Sequence, residues 1–159
     1  MLERARNHGL PAYFIPAKGK ERHEFDREVT LLLQETNAVL VLCIGYMRFL
    51  SAGFVQEWFG KVANVHPSLL PKHPGLMDLD VHQAVLDAKE KVSGCTVHLI
   101  DEGVDSGPIL IQKTVSVAQD DTAETLKAKV QPLEGLAFIE LIRQWPMEGI
   151  PQEAFAKRL

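Results

Sequence analysis

The feature that most constrains the fold is the apolar run AVLVLCIG at residues 38–45. A near-continuous apolar segment of this length is typical of a strand that is buried on both faces of a parallel sheet. An amphipathic helix is predicted before it, over residues 18–36, and a short helix after it, over residues 51–60, with Ser51 as its N-cap. Strands that alternate with helices in this way predict an α/β fold, in which helices flank a mostly parallel central sheet.

The second half of the chain has a different pattern. Residues 94–103 and 108–117 alternate between apolar and polar side chains, which indicates an antiparallel or mixed edge of the sheet. A long amphipathic helix is predicted over residues 120–145, with Asp121 or Thr122 as its cap. Shorter elements are predicted from the same periodicities, namely helices at 2–9 and 80–91 and strands at 12–16 and 61–66.

Composition restricts the class of protein. The 159 residues, 46% of them hydrophobic and 24% charged, predict one globular domain over 1–159 with 146–159 as a C-terminal tail. The net charge of -4, without a basic run, argues against nucleic acid as a partner. No apolar stretch has the about 18 residues of a membrane span, and the charged N-terminus lacks a signal centre, so we expect a cytoplasmic location. Cys43 and Cys95 are expected to be free buried thiols.

Polar side chains follow the predicted strands, where ligands of open α/β sheets bind. Asn64 and His66 close the segment KVANVH, His98 lies within TVHLI, and Asp105 lies in the loop that follows. An amide can donate to a developing oxyanion, an imidazole can donate or carry a proton, and a carboxylate can orient the imidazole or act through water. The pattern therefore indicates a site for acyl transfer.

Each of these residues also has a purely structural interpretation. His98 fits a strand residue bonded to a backbone carbonyl, and Asp105 before Ser-Gly fits a simple turn. His73 and His82 have no partner pattern and are expected at the surface. A zinc site formed by His66, His73 and His82 lacks a recognised ligand spacing. Spacing alone leaves these interpretations open.

Two motifs carry a resemblance to a known family. NVHPSLLPKHPGL at residues 64–76 and GCTVHLIDEGVDSGPILIQKTVSV at residues 94–117 resemble the folate-dependent formyltransferases, and among them the phosphoribosylglycinamide formyltransferases. The resemblance continues through LVLCIGYMRFLS, LERARNHGLP and ETLKAKVQPLEGLAFIELI, so it covers nearly the whole chain in order. Pro67 directly after His66 favours this family over formyltetrahydrofolate deformylases and methionyl-tRNA formyltransferases.

The resemblance implies transfer of a formyl group from 10-formyltetrahydrofolate to the amine of glycinamide ribonucleotide in de novo purine biosynthesis, without a metal. It implies that Asn64 and His66 polarise the formyl group and stabilise the oxyanion. Asp105 would handle protons through water and keep His66 correctly protonated, with His98 as a supporting residue behind them.

The resemblance also implies two binding surfaces that meet at these residues. The surface for the reduced folate would be formed by Arg48, Phe49, Leu50, Ile100, Asp101, Glu102 and Asp105. The surface for glycinamide ribonucleotide would be formed by Gly45, Asn64 and Glu134.

The sequence departs from the family pattern at its start. The family begins with a strand, a Gly/Ser-rich loop that holds the substrate phosphate at a helix N-terminus, and that helix. This chain begins with MLERAR, after such a unit, so an N-terminally truncated version of the fold is expected. A shortened start, a fragment, and a chain that pairs with a second copy as a homodimer all fit this expectation. A 10-formyltetrahydrofolate deformylase and a non-catalytic folate-binding remnant are the alternative functions.

Overall fold

The computed structural model describes residues 2–146 and residue 150. Within these residues helices are interleaved with strands along the chain, which confirms the predicted α/β class. The elements, in chain order, are α1 (Leu2–Asn7), α2 (Arg22–Glu35), β1 (Val41–Cys43), α3 (Ala52–Glu57), β2 (Val62–His66), α4 (Leu79–Asp87), β3 (Val92–Leu99), β4 (Ile109–Ser116) and α5 (Ala123–Gln144).

The described strands form one sheet in the order β1-β2-β3-β4. Strand β1 runs parallel to β2, with Val41 opposite Val62. Strand β2 runs antiparallel to β3, with Asn64 opposite His98, and β3 runs antiparallel to β4. Two of these three pairings are antiparallel, so this part of the sheet is mixed, where a mostly parallel sheet is the sequence prediction.

The path between β2 and β3 explains why these strands are antiparallel. Lys72 and His73, just after β2, contact Glu90, just after α4. Helix α4 therefore ends near the C-terminal end of β2, and β3 starts there and runs back beside β2. A helix between two strands usually indicates a parallel pair, but the long loop between β2 and α4 removes that constraint.

Local sequence signals set the helix ends. The Ser51 hydroxyl accepts a hydrogen bond from the Phe54 N–H and caps α3 as predicted. The Thr122 hydroxyl accepts from the Thr125 N–H at the start of α5, which decides between the two caps considered for this helix. Gly9 follows α1 with φ of 67°, a left-handed conformation that glycine adopts without strain.

Two strand predictions differ from the structure. Residues 12–16 form no strand, and Tyr13 and Phe14 are exposed. A strand needs a neighbour to pair its backbone groups, and no such neighbour lies beside this segment among the described residues. The apolar run at 38–45 contains the three-residue strand β1, which is only partly buried because it forms the edge of the described sheet.

The main hydrophobic core lies between the sheet, α4 and α5. Val85 of α4, Val97 of β3 and Leu126 and Val130 of α5 are almost completely buried in it. Phe54 and Trp58 belong to a second cluster that packs against β1 and α2. Burial of these side chains fixes α5 across the sheet and leaves one face of that helix toward the carboxyl end of β2.

Some predictions concern features outside the core. Cys43 and Cys95 are free and buried, as expected. Residues 146–159, the predicted tail, lie outside the described residues except for residues 146 and 150. Among the residues that the structure describes, no helix combines the length and the apolar character that crossing a membrane requires.

Candidate active site

The sheet brings three of the predicted catalytic residues to one face. Asn64 and His66 are two positions apart in β2, so their side chains point to the same face. His98 in β3 lies directly opposite Asn64, and opposite residues of an antiparallel pair share a face. The register of β2 and β3 therefore places an amide and two imidazoles side by side.

The loop between β3 and β4 brings the fourth residue, Asp105, over this face. Asp101 Oδ1 accepts hydrogen bonds from the Gly103 N–H and from the Ser106 hydroxyl, which shapes the loop. A side chain at Gly107 would lie 1.8 Å from the Leu99 carbonyl oxygen, so glycine is required where the loop turns back against β3. Asp105 has φ of 51° at the loop's tip.

The Asp105 carboxylate contacts both imidazoles. Its Oδ2 lies 3.1 Å from Nδ1 of His66 and accepts a 2.8 Å hydrogen bond from the Gly75 N–H. Its Oδ1 lies 3.4 Å from Nε2 of His98. Burial alone would raise the pKa of Asp105, but its contacts with His66, His98 and Gly75 hold the pKa well below its ordinary value. The carboxylate is therefore ionised at neutral pH.

Acceptor groups lie against both ring nitrogens of His66. Its Nε2 lies 2.8 Å from the backbone carbonyl oxygen of His73, which can only accept a hydrogen bond, so Nε2 donates to it. Its Nδ1 faces the ionised carboxylate of Asp105, which would balance a positive charge on the ring. Its ring is almost fully buried.

His98 is held differently. Its Nδ1 lies 2.9 Å from the Leu99 carbonyl oxygen and must donate to it. Its Nε2 is close to Asp105, but the alignment is poor, and this nitrogen makes no hydrogen bond within the described part of the chain. Both interpretations of His98 thus have support, because it bonds a backbone carbonyl and also lies against the carboxylate.

A cavity of about 710 Å³ opens beside these groups. The Asn64 side chain faces it and forms no hydrogen bond to any other described residue, so its amide is available to a ligand. Every residue predicted for the two binding surfaces also lines this cavity: Gly45, Arg48, Phe49, Leu50, Asn64, Ile100, Asp101, Glu102, Asp105 and Glu134. A cavity of this size is typical of small-molecule sites.

The structure corrects the prediction that His82 lies at the surface. His82 is only 2% exposed, lines the cavity, and its Nδ1 has no hydrogen-bond partner among the described residues. Burial, followed by the positive charge of Lys127, lowers the pKa of His82, so the ring is neutral at physiological pH. Val81 and Val85 form the buried face of α4, so helical periodicity was the signal that could have placed His82 beside them.

Helix α5 adds further residues that the sequence analysis did not identify. Lys127 and Gln131 line the cavity together with Glu134, at the four- and three-residue spacing of one helix face. Burial raises the pKa of Glu134. Lys127 also pairs with Asp78, which precedes α4. Lys127 and Gln131 could have been found from the sequence by following the helix face of Glu134 toward the N-terminus of α5.

Arg22 is a further residue of the cavity wall that the sequence analysis did not identify. Arg22 lies over the ring of Phe49 at 6.0 Å, and both side chains line the cavity. The sequence analysis placed Arg22 only within a helix.

Within residues 2–146 and residue 150, no group of three His, Cys, Asp or Glu side chains is arranged to hold a metal ion. His73 instead pairs with Glu90 and is partly buried, which corrects its predicted surface position.

Comparison with known proteins gives a consistent family. Residues 1–142 match the family model described as Formyl transferase. The phosphoribosylglycinamide formyltransferase of Bacillus subtilis is 34% identical over 145 residues, which cover 91% of this chain and 73% of that protein. The crystal structure of glycinamide ribonucleotide transformylase 1 from Symbiobacterium toebii has a TM-score of 0.81 and 38% identity, and the match covers 89% of this chain and 66% of that one. The predicted formyltransferase fold is therefore confirmed.

A longer relative shares the same region. The trifunctional purine biosynthetic protein adenosine-3 of Drosophila melanogaster is 44% identical over 138 residues, which cover 86% of this chain. This match spans only 10% of that relative's length. The likeness therefore concerns one part of a larger protein.

Proposed function

Because the chain belongs to the formyl transferase family, we propose that it transfers a formyl group from 10-formyltetrahydrofolate to the amine of glycinamide ribonucleotide, a step of de novo purine biosynthesis. The observation that carries this proposal is the convergence of Asn64, His66 and Asp105 at the wall of one cavity. The relatives named for this activity and the free amide of Asn64 support it.

Asn64 is the direct donor to the reacting oxygen in this proposal. Attack by an amine on a formyl carbon turns the carbonyl oxygen into an oxyanion, which needs a donor already in place. The Asn64 amide faces the cavity and has no competing partner among the described residues. Its position opposite His98 in the sheet fixes where the amide points.

His66 stabilises the same negative charge. Both nitrogens of its ring face protein acceptors, the His73 carbonyl and the Asp105 carboxylate. In this proposal His66 acts as an imidazolium, through its positive charge beside the cavity, and it donates directly to the formyl oxygen only when Nε2 leaves the His73 carbonyl. Asp105 keeps this charge in place because the carboxylate stays ionised.

The reaction needs no covalent bond to the protein. The amine nitrogen forms a bond to the formyl carbon, the bond from that carbon to the folate nitrogen breaks, and the amine loses one proton while the folate nitrogen gains one. Asp105, the only ionised group bonded to His66 in the described site, is placed to pass this proton through water. The cavity wall holds the two reactants in register.

The chemistry of the cavity walls fits the folate on one side and the ribonucleotide on the other. Phe49 and Leu50 give an apolar surface for an aromatic ring system, and Arg48 lies beside them. Residues 100–105 complete this surface with Asp101 and Glu102. On the other side, Gly45 and Glu134 line the cavity near the Asn64 amide and are proposed to face glycinamide ribonucleotide.

We also propose where the protein acts and with what. Its substrates are the two small molecules, in the cytoplasm, and neither nucleic acid nor a membrane is a partner; the net charge of -4 supports this. A homodimer is proposed because Leu136, Ile139 and Ile142 form an exposed apolar stripe along α5. Light scattering of the purified protein tests the dimer, and a mass of one chain at all concentrations contradicts it.

The test of function is an assay of the purified protein with both substrates, in which mass spectrometry measures formylated ribonucleotide. We expect product, and a loss of about 100-fold in kcat/KM for Asn64→Ala, because one oxyanion donor is removed. Asn7→Ala, which changes an exposed asparagine of α1, is the matched control. Formate release without an amine acceptor would instead show a deformylase, and folate binding without turnover would show a binding remnant.

A further inference from the structure

We propose that Glu90 and His73 are positioning residues for catalysis, which hold the His66–Asp105 pair from outside the cavity by clamping residues 73–75. The inference rests on the proposed catalytic role of His66. Glu90 does not line the cavity, and His73 reaches the site only through its backbone. Their role is therefore to place His66 without contact with either substrate.

The clamp engages both members of the pair. The His73 carbonyl accepts the Nε2–H of His66 at 2.8 Å. Two residues later, the Gly75 N–H donates at 2.8 Å to Asp105 Oδ2, the same oxygen that faces Nδ1 of His66. A displacement of this short segment thus changes the orientation of the imidazolium and of its counter-charge together.

Glu90 holds the segment through the His73 ring. Nε2 of His73 lies 2.8 Å from Glu90 Oε1, and both side chains are mostly buried. His73 has φ of 55°, a left-handed conformation that a residue with a side chain rarely adopts without outside support. Burial would raise the pKa of Glu90, but hydrogen bonds with His73 and Lys72 keep it below its ordinary value, so Glu90 is ionised when it holds the ring.

The preceding part of the loop is anchored independently. The Thr96 hydroxyl donates to the Ser68 carbonyl and accepts from the Leu70 N–H, and the Gln112 amide donates to the Leu70 carbonyl. These bonds end before His73. Loss of the Glu90 contact therefore leaves the fold of the loop in place and releases only the segment that holds the catalytic pair.

Lys72 provides a matched control. Its ammonium group contacts the other oxygen of the same carboxylate, Glu90 Oε2, at 3.0 Å, but its side chain is largely exposed and does not line the cavity. Lys72→Ala removes one partner of Glu90 and leaves the His73 contact. Glu90→Gln retains an oxygen that accepts from the His73 ring, so it separates hydrogen bonding from charge.

The test combines kinetics with nitrogen NMR of the His66 ring. For Glu90→Ala we expect kcat to fall about tenfold with KM for both substrates nearly unchanged, because misplacement of a catalytic group affects turnover. Glu90→Gln should recover most of this loss, and Lys72→Ala should match the unaltered protein. In the unaltered protein the spectrum should show two protonated ring nitrogens on His66, and in Glu90→Ala the Nε2–H signal should broaden through exchange with water.

A second variant guards against a simple folding defect. His73→Gly removes the ring but suits the left-handed backbone, so the protein should fold and lose activity as Glu90→Ala does. An unchanged kcat, or an unchanged His66 spectrum, in both variants overturns the clamp. Absence of formyl transfer in the unaltered protein, together with the expected change in the His66 spectrum, supports the clamp and refutes the proposed function instead.

Discussion

The floor and the rim of the cavity are built differently. At the floor, the side chains of His66 and His98 are 3% exposed and that of Asp105 is 13% exposed, and their contacts fix them before any ligand binds. At the rim, Met47 is 65% exposed and Phe49 is 62% exposed. The rim thus leaves apolar surface in water that a bound ligand can cover.

This difference separates two tasks. In the proposed reaction, the groups that act on the formyl carbon must be oriented in advance, because reorganisation during the reaction would raise the barrier. Apolar groups that recognise a ring system contribute affinity when their surface leaves water, and they need no fixed hydrogen bonds. Changes at the floor should therefore affect turnover, whereas changes at the rim should affect binding.

The strongest test of this separation is Asp105→Ala. Loss of the carboxylate removes the ionised partner of His66 and the group placed to pass a proton, so we expect kcat to fall by about a thousandfold. Asp105→Asn keeps an acceptor for the Gly75 N–H and should fall less. Steady-state kinetics measures both, with Asp87→Asn at the exposed end of α4 as the control. Equal losses of kcat in all three variants would show that the floor has no special role.

A second test asks whether water reaches the cavity wall at Cys43. Burial, followed by the charge of Asp26, raises the pKa of the Cys43 thiol from 9.0 to about 11. A rise of this size lowers the thiolate fraction by about 100-fold at pH 8, and the thiolate is the reactive form. Alkylation followed by peptide mass spectrometry should therefore be at least that much slower in the folded protein than in denaturant. Labelling at the denatured rate would mean that the cavity wall at Cys43 is open.

The sequence alone singles out part of the floor. Asn64, His66 and their proline-stiffened loop are consecutive, so a local motif identifies them. The partner of His66 is distant in sequence, and only the register of β2 with β3 and the tight turn at Gly107 bring Asp105 to it. The spacing of residues along the chain does not reveal how β2 pairs with β3. The motif resemblance was therefore needed to group Asn64 and His66 with His98 and Asp105.

The failures have a common physical origin. Periodicity reports which side of a segment is apolar, but not which neighbour covers it. The sequence therefore predicted a strand at 12–16 that has no partner among the described residues, and a surface position for His82, which packs beside Val81 in α4. It also gave no sign that Lys72 and His73 would return the chain to Glu90 and make β3 antiparallel.

The smallest expected effect tests the rim. Phe49→Ala removes an exposed aromatic ring that a bound folate would cover, so we expect the Kd for folate to rise by about tenfold, because burial of one large apolar side chain contributes on the order of 1.5–3 kcal/mol. Turnover at saturating folate should stay nearly unchanged, because the described polar partners of His66 and Asp105 do not include Phe49. Calorimetry gives the Kd, and kinetics at high folate gives kcat. Phe14→Ala, which removes another mostly exposed ring that does not line the cavity, is the matched control. A fall in kcat with an unchanged Kd would reverse the assignment, because the rim would then take part in placing the reacting groups.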